Sequence, residues 1–315
     1  MCALFGYLDC GKRVPMRTLQ KLVQALANAS EVRGKHASGI AYNNRGELKI
    51  YKRPRPAHRM HFRIPEGTTA VMGHTRSTTQ GDQRHNYNNH PFRGYAGRSF
   101  ALAHNGVLYN DTSLRREHSL PDTTIETDSY IAVQLVESKQ ELSFDSLRFA
   151  AEAVRGSYTF TVLDSTDTIY IIKGDSPMHL VYYPQYGLYV YASTAEIMKD
   201  ALRHVPQLQG YHEVVSVKDG EIVQISSSGA IKREEFTIHD DYCSLYRSYW
   251  YDWFPPTTKR SSEEDDYLVE LCRYYGGDIE MARYLLATGY SLDEIETMFS
   301  EPDEYGLWSL CGGEW

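Results

Sequence analysis

The chain has 315 residues, 42% of them hydrophobic, enough to bury a core in one large domain or two ordinary ones, which excludes a disordered or collagen-like chain. Its 33 Lys and Arg against 41 Asp and Glu leave a formal charge of −8, no footprint for a chain-wide nucleic-acid clamp. No apolar run reaches membrane-spanning length, and MCALFGYLDCGKR lacks the basic lead-in and apolar stretch of a secretory signal, so a cytoplasmic protein is expected.

In chain order, Ala3 to Leu8 reads as a strand, Arg17 to Ala29 as an amphipathic helix, and Ile40 to Asn43 with Leu48 to Lys52 as a hairpin about Asn44, Arg45 and Gly46. Further strands are predicted at Ala70 to His74, Phe100 to His104, Tyr158 to Leu163, Ile169 to Ile172, Gly187 to Tyr191, Val214 to Lys218 and Glu221 to Ile225. Predicted helices cover Ser129 to Glu137, Phe144 to Ala153 and Ala195 to Arg203. Strands in blocks with helices grouped between them predict sheets covered by helices, not a doubly wound parallel sheet. After His239 the composition changes. Tyr242 to Phe254 is crowded with Tyr, Trp and Phe, and Pro255 and Pro256 end it. The acidic run Glu263 to Asp266 opens a helical segment, Asp278 is placed to cap a second, and Ser291 with Glu294 forms a capping box for a third. The predicted division is therefore a domain over 2–240, an aromatic connector over 241–262, and a small helical module with a tail over 263–315.

Five cysteines, Cys2, Cys10, Cys243, Cys272 and Cys311, form no C-x-x-C pair, which argues against a disulfide framework or a zinc knuckle. Cys2 stands apart. Removal of Met1 is expected because the next side chain is small, and Cys2 then carries a thiol and a free α-amine on one residue. With an ordinary pKa of about 7.7–8.0, roughly a tenth to a fifth of that amine is neutral at pH 7 and able to accept the thiol proton. Three later segments add complementary chemistry. GHTRSTTQG (Gly73 to Gly81) sets Arg76 beside Ser77, Thr78 and Thr79, a fork and hydroxyls suited to a carboxylate. HNG (His104 to Gly106), at the end of a predicted strand, offers an amide and a glycine N–H for an oxyanion. TDSY places Asp128 at a predicted helix start, where it could simply favour the dipole.

With RGKHASG (Arg33 to Gly39) and NNHPF (Asn88 to Phe92), these segments stand in an order that resembles the class II glutamine amidotransferases, whose glutaminase domain is of the N-terminal nucleophile hydrolase type. The resemblance runs from about Cys2 to Phe236 and implies an α+β fold, a four-layer αββα sandwich, here with a small C-terminal helical appendage. It implies Cys2 as nucleophile, with Asn105 and Gly106 as the oxyanion hole. Arg76 and Thr79 would hold the glutamine α-carboxylate and Asp128 its α-ammonium, with Arg33 and His90 as supporting residues. The sequence departs from the pattern at Lys35 and His36, where sugar-forming members have Tyr-Asp, at Ser77, where some have a gating Trp, and at Gln80, where His is common.

The implied activity is hydrolysis of the side-chain amide of L-glutamine through a Cys thioester. No sugar-isomerase module, phosphoribosyl-pyrophosphate site or SGG-D nucleotide loop is visible. A separate amide-forming ligase or synthase is therefore the expected ammonia acceptor, and a homo-oligomer is left open. Tyr242 to Trp315 would be the part that docks such a partner or a second copy. Two alternatives remain: an acylase or amidase of the same superfamily, and an inactive scaffold if Met1 persists. The histidines show no metal-ligand spacing, so neither metal nor cofactor is expected. Lys52, Arg53, Arg55, Arg59 and Arg63, with His58 and His61, form a basic stretch that reads as a solvated loop or edge, or as a surface for an acidic partner.

Overall fold

A computed structural model describes residues 2–239, 262–275 and the helical positions 282, 283, 286, 292 and 295–297. The chain divides into two compact units, Met1–Ser244 and Leu245–Trp315.

The first unit is built on two antiparallel sheets. β1 (Ala3–Asp9), β2 (Ala37–Asn44), β3 (Glu47–Arg53), β4 (Ala70–Arg76), β9 (His179–Tyr183), β10 (Leu188–Ala192) and β11 (Glu213–Val215) form one, in the order β11-β9-β10-β1-β4-β2-β3. The other has the order β13-β12-β8-β7-β6-β5 and comprises β5 (Phe92–Ala96), β6 (Arg98–Leu108), β7 (Gly156–Asp164), β8 (Ile169–Lys173), β12 (Glu221–Ile225) and β13 (Ile231–Glu235).

Alternation along β1 explains the layering. Ala3, Phe5 and Tyr7 point to a core shared with α1 (Met16–Ala29) and α5 (Ala195–Arg203), while Leu4 and Leu8 point into the core between the sheets. A strand buried on both faces reads as an unbroken apolar run, and ALFGYL does so. The second sheet repeats the scheme. Phe160 and Val162 of β7 face α3 (Tyr130–Ser138) and α4 (Phe144–Ala153), and Leu163 faces the first sheet. Three apolar cores in alternation with two sheets give the expected four-layer αββα sandwich. α1 covers its sheet with Leu19, Leu22, Val23 and Leu26, the spacing of one helical face. α4 starts where a reciprocal pair of bonds between Ser143 and Ser146 satisfies two N-terminal backbone donors.

Several elements differ from the sequence prediction. β6 does not end at His104; it runs on to Leu108, because Asn105 and Gly106 keep pairing with Thr159 and Tyr158 of β7. β5 (FRGYA) and β13 (IKREE) were not predicted, since edge strands carry charges and glycine in place of a clean alternation. The polar seven-residue α2 (Asp111–Glu117) was missed for want of an apolar face.

In the second unit, α6 (Ser262–Tyr275) buries Leu268, Leu271 and Cys272 with Ala282 and Ile295, and Leu286 and Leu292 pack against them. The aromatic stretch Tyr242 to Phe254 and the proposed caps at Asp278 and Ser291 lie outside the described residues.

Candidate active site

Cys2 precedes β1, a central strand, and the register Ala3↔Thr75 places it beside the end of β4, where Arg76 lies. On the other side of β4, Ala37 pairs with Arg76, which brings the RGKHASG turn against the same point. Arg33 Nε donates to the Cys2 carbonyl over 2.8 Å, so the guanidinium braces the backbone of the residue, leaving its sulfur free of that contact.

The Cys2 side chain is 8% exposed, and its thiol donates to the Ser77 carbonyl at 3.4 Å. Burial pushes the thiol pKa up, the Ser77 backbone and the charge of Arg76 pull it back, and the charge of Asp128 adds to the rise. Among the described residues no histidine or carboxylate hydrogen-bonds the sulfur. A protonated thiol with no side-chain base is chemically quiet until something takes its proton.

Arg76 is 3% exposed and held rigidly. Nη1 donates to Asn89 Oδ1 at 2.8 Å, and Nη2 donates to the carbonyls of Gln80 and Gly81. Burial draws its pKa down, opposed by the charges of Cys2, Asp128, Asp82 and Glu126. Asp128 is also buried, and Oδ2 accepts the Leu108 N–H at 2.6 Å. It therefore does not serve as a helix cap for α3: its carboxylate turns back to β6, beside the HNG segment. Cys2, Arg76 and Asp128, three residues far apart in sequence, thus lie within electrostatic range of one another.

Asn105 is 1% exposed, and its Nδ2 has no hydrogen-bond partner among the described residues. A buried amide donor left unpaired costs about 1–3 kcal/mol, which an acceptor oxygen bound there would relieve. The next residue, Gly106, has φ +139°, and a Cβ there would sit 1.9 Å from the Ser157 carbonyl, so only glycine fits. Thr79 is exposed and has no side-chain hydrogen bond among the described residues. The loop it belongs to is fixed one residue earlier, where the Thr78 N–H donates to His36 Nδ1 at 2.9 Å. His36, a departure from the family pattern, therefore supports the Arg76 loop directly.

His90 is buried with both ring nitrogens unpartnered among the described residues, its ring centre 4.2 Å from that of His74. The sequence reading missed His74, His104 and Asn89 as parts of the site. His74 lies in GHTRSTTQG, His104 in HNG and Asn89 in NNHPF, but nothing in one-dimensional order shows that Asn89 grips Arg76. No group of three or more His, Cys, Asp or Glu among the described residues could hold a metal ion.

The family described as a glutamine amidotransferase domain matches residues 74–200, a span from His74 through Arg76, Asn105, Gly106 and Asp128. The chain is 34% identical over 254 residues to the glutamine–fructose-6-phosphate aminotransferase (isomerizing) of Staphylococcus epidermidis, covering 76% of this chain and 40% of that protein. It carries a class II glutamine amidotransferase domain.

The corresponding protein of Halalkalibacterium halodurans is 30% identical over 255 residues, with the same coverage of 76% and 40%. The chain thus spans about two fifths of the length of the curated relatives it matches. In fold, it is similar to the glutamine phosphoribosylpyrophosphate amidotransferase of B. subtilis solved with ADP and GMP. The TM-score is 0.58 at 21% identity, over 76% of this chain and 50% of that one.

Proposed function

We propose that the domain hydrolyses the side-chain amide of L-glutamine with Cys2 as an N-terminal nucleophile and supplies the ammonia to a separate acceptor enzyme. The observation that carries this reading is the unpaired, buried Nδ2 of Asn105, next to a glycine whose conformation no other residue can adopt.

The steps follow from the groups present. Removal of Met1 frees the α-amine of Cys2, which supplies the base that the raised thiol pKa requires and that no described side chain provides. The amine takes the thiol proton, and sulfur attacks the amide carbon of glutamine. Asn105 Nδ2 and the Gly106 N–H bind the tetrahedral oxyanion. The amine returns the proton to the departing nitrogen, ammonia leaves, and the γ-glutamyl thioester is hydrolysed by water to glutamate.

Arg76 and Asp128 supply opposite charges for the α-carboxylate and α-ammonium of a free amino acid. Arg76 Nε has no hydrogen bond among the described residues, so that N–H is left to donate to a carboxylate. An acyl chain would use neither charge, which favours a free amino acid over an acylase substrate. Thr79, exposed in the same GHTRSTTQG segment, would add a hydroxyl to that carboxylate. His90 and Arg33 support the site from behind.

The test is glutamine-to-glutamate conversion by the wild type and by Cys2→Ala. The variant is expected to lose nearly all activity, and a wild-type rate in Cys2→Ala refutes the mechanism.

A further inference from the structure

β3 and β5 are edge strands of the two different sheets, and cations from both meet in one open groove. Ile50, Lys52 and Arg53 of β3, Asn86, and Arg93 of β5 line a volume of about 310 Å³. Among the described residues three positive charges line it and no carboxylate does. Among the described residues their hydrogen bonds go to backbone carbonyls, which are neutral: Lys52 Nζ to Asn89 and Pro91, Arg53 Nη1 to Lys52, and Arg93 Nη2 to Leu48. Glu47 feels the charge of Arg93, but its own partner is Lys49. Like charges gathered in a concave site focus a field that favours an anion.

The lysine is also placed. Gly39 lies across the β2–β3 pair from Lys52, and a Cβ on that glycine would meet Lys52 Cβ at 2.6 Å and the His90 carbonyl at 2.4 Å. This close approach lays the Lys52 stem against the His90–Pro91 segment, with its ammonium 4.9 Å from the Phe92 ring centre. Two arginine forks and one ammonium form a donor set suited to the several oxygens of a phosphate.

We propose that this groove binds phosphate, free or as a small monoester, and that its occupancy is felt at Arg76. The link is short: Lys52 holds the Asn89 carbonyl, and Asn89 Oδ1 holds Arg76 Nη1 at 2.8 Å. An anion that draws Lys52 toward the groove pulls on the residue that orients the guanidinium. The coupling rests on the reading of Arg76 as the glutamine-carboxylate group; the binding does not.

Titration calorimetry on the full chain, at constant ionic strength, with inorganic phosphate and with glycerol 3-phosphate, tests the site. The wild type is expected to give a saturable one-site heat, and Arg53→Ala with Arg93→Ala at least tenfold weaker binding. Arg203→Ala, which removes an exposed cation of α5 paired with Asp200, is expected to bind as the wild type does. Tighter binding of the ester assigns a phosphorylated metabolite, and equal binding assigns free phosphate. Because Arg93 holds the Leu48 carbonyl, Arg53→Ala alone serves if the double variant does not fold, with about threefold weakening expected. Absence of a saturable heat, or unchanged binding in the groove variants, overturns the site. Saturating phosphate is expected to shift the KM for glutamine at least twofold in the wild type; an unchanged KM overturns the coupling. Calorimetry reads phosphate without turnover, so its failure is distinguishable from failure of the glutaminase reading.

Discussion

His74 Nε2 donates to the carbonyl of His104 over 2.9 Å, tying the strand that ends in Arg76 to the strand that carries Asn105. One bond thus joins the two sheets at the point where the proposed carboxylate fork and oxyanion donor must be in register. Burial draws the His74 pKa down to about 3 and that of His90 well below its ordinary value; His104 is lowered by the same cause. All three rings are therefore neutral at pH 7, and the His104 carbonyl as acceptor assigns the His74 proton to Nε2.

The pH dependence of stability follows. In the unfolded chain these histidines bind protons near pH 6.5, whereas the folded state holds them neutral, so the unfolded state carries more protons below that pH. Their stabilising contribution is complete above about pH 6.5 and is lost as pH falls toward the depressed folded values. Urea unfolding between pH 7.5 and 5 is expected to show this steep loss, with a shallower slope in His90→Phe. An identical slope in that variant means that His90 is not held neutral by burial.

Binding and chemistry are expected to separate by residue. Arg76→Ala and Asp128→Ala remove groups facing parts of the substrate that do not react, so they chiefly raise KM. Asn105→Ala removes a donor to the developing oxyanion and is expected to lower kcat by about 10²–10³. Steady-state kinetics of the three variants decide this, and equal kcat losses in all three contradict the assignment.

Gly106→Ala is a test of strain. The new methyl would lie 1.9 Å from the Ser157 carbonyl in a backbone conformation with φ +139°. A loss of at least about 3 kcal/mol is expected, measured as a fall in the urea midpoint, together with loss of glutaminase rate. A stability within about 0.5 kcal/mol of wild type would mean that the strand relaxes and that Gly106 is not needed for its shape.

Much of this was legible in the sequence, for identifiable physical reasons. The strand ALFGYL, the amphipathic α1 and the capped α4 are written in local pattern: a doubly buried run, a helical apolar stripe and a serine cap. Motif order nominates Cys2, Arg76, Asn105 and Asp128, but it specifies residue type and not what each side chain touches. Asp128 at a helix start gives no sign that its carboxylate reaches back to the Leu108 N–H, and Asn89 gives no sign that it clamps Arg76. Those contacts join residues 13 and 20 positions apart, a spacing that no local helical or strand period encodes. The groove cations were visible in β3 as a charge run, but their partner Arg93 comes from the other sheet, and only the sandwich brings it near.

The central claim is that Cys2 is the N-terminal nucleophile for glutamine. Peptide mass mapping of the purified protein after reaction with a glutamine-like affinity label reads both halves of that claim at once. The account predicts an N-terminal peptide that lacks Met1 and carries the label on Cys2 alone. A labelled, glutamine-hydrolysing protein that retains Met1, or a label found on Cys10 or Cys272 with Cys2 untouched, would contradict it.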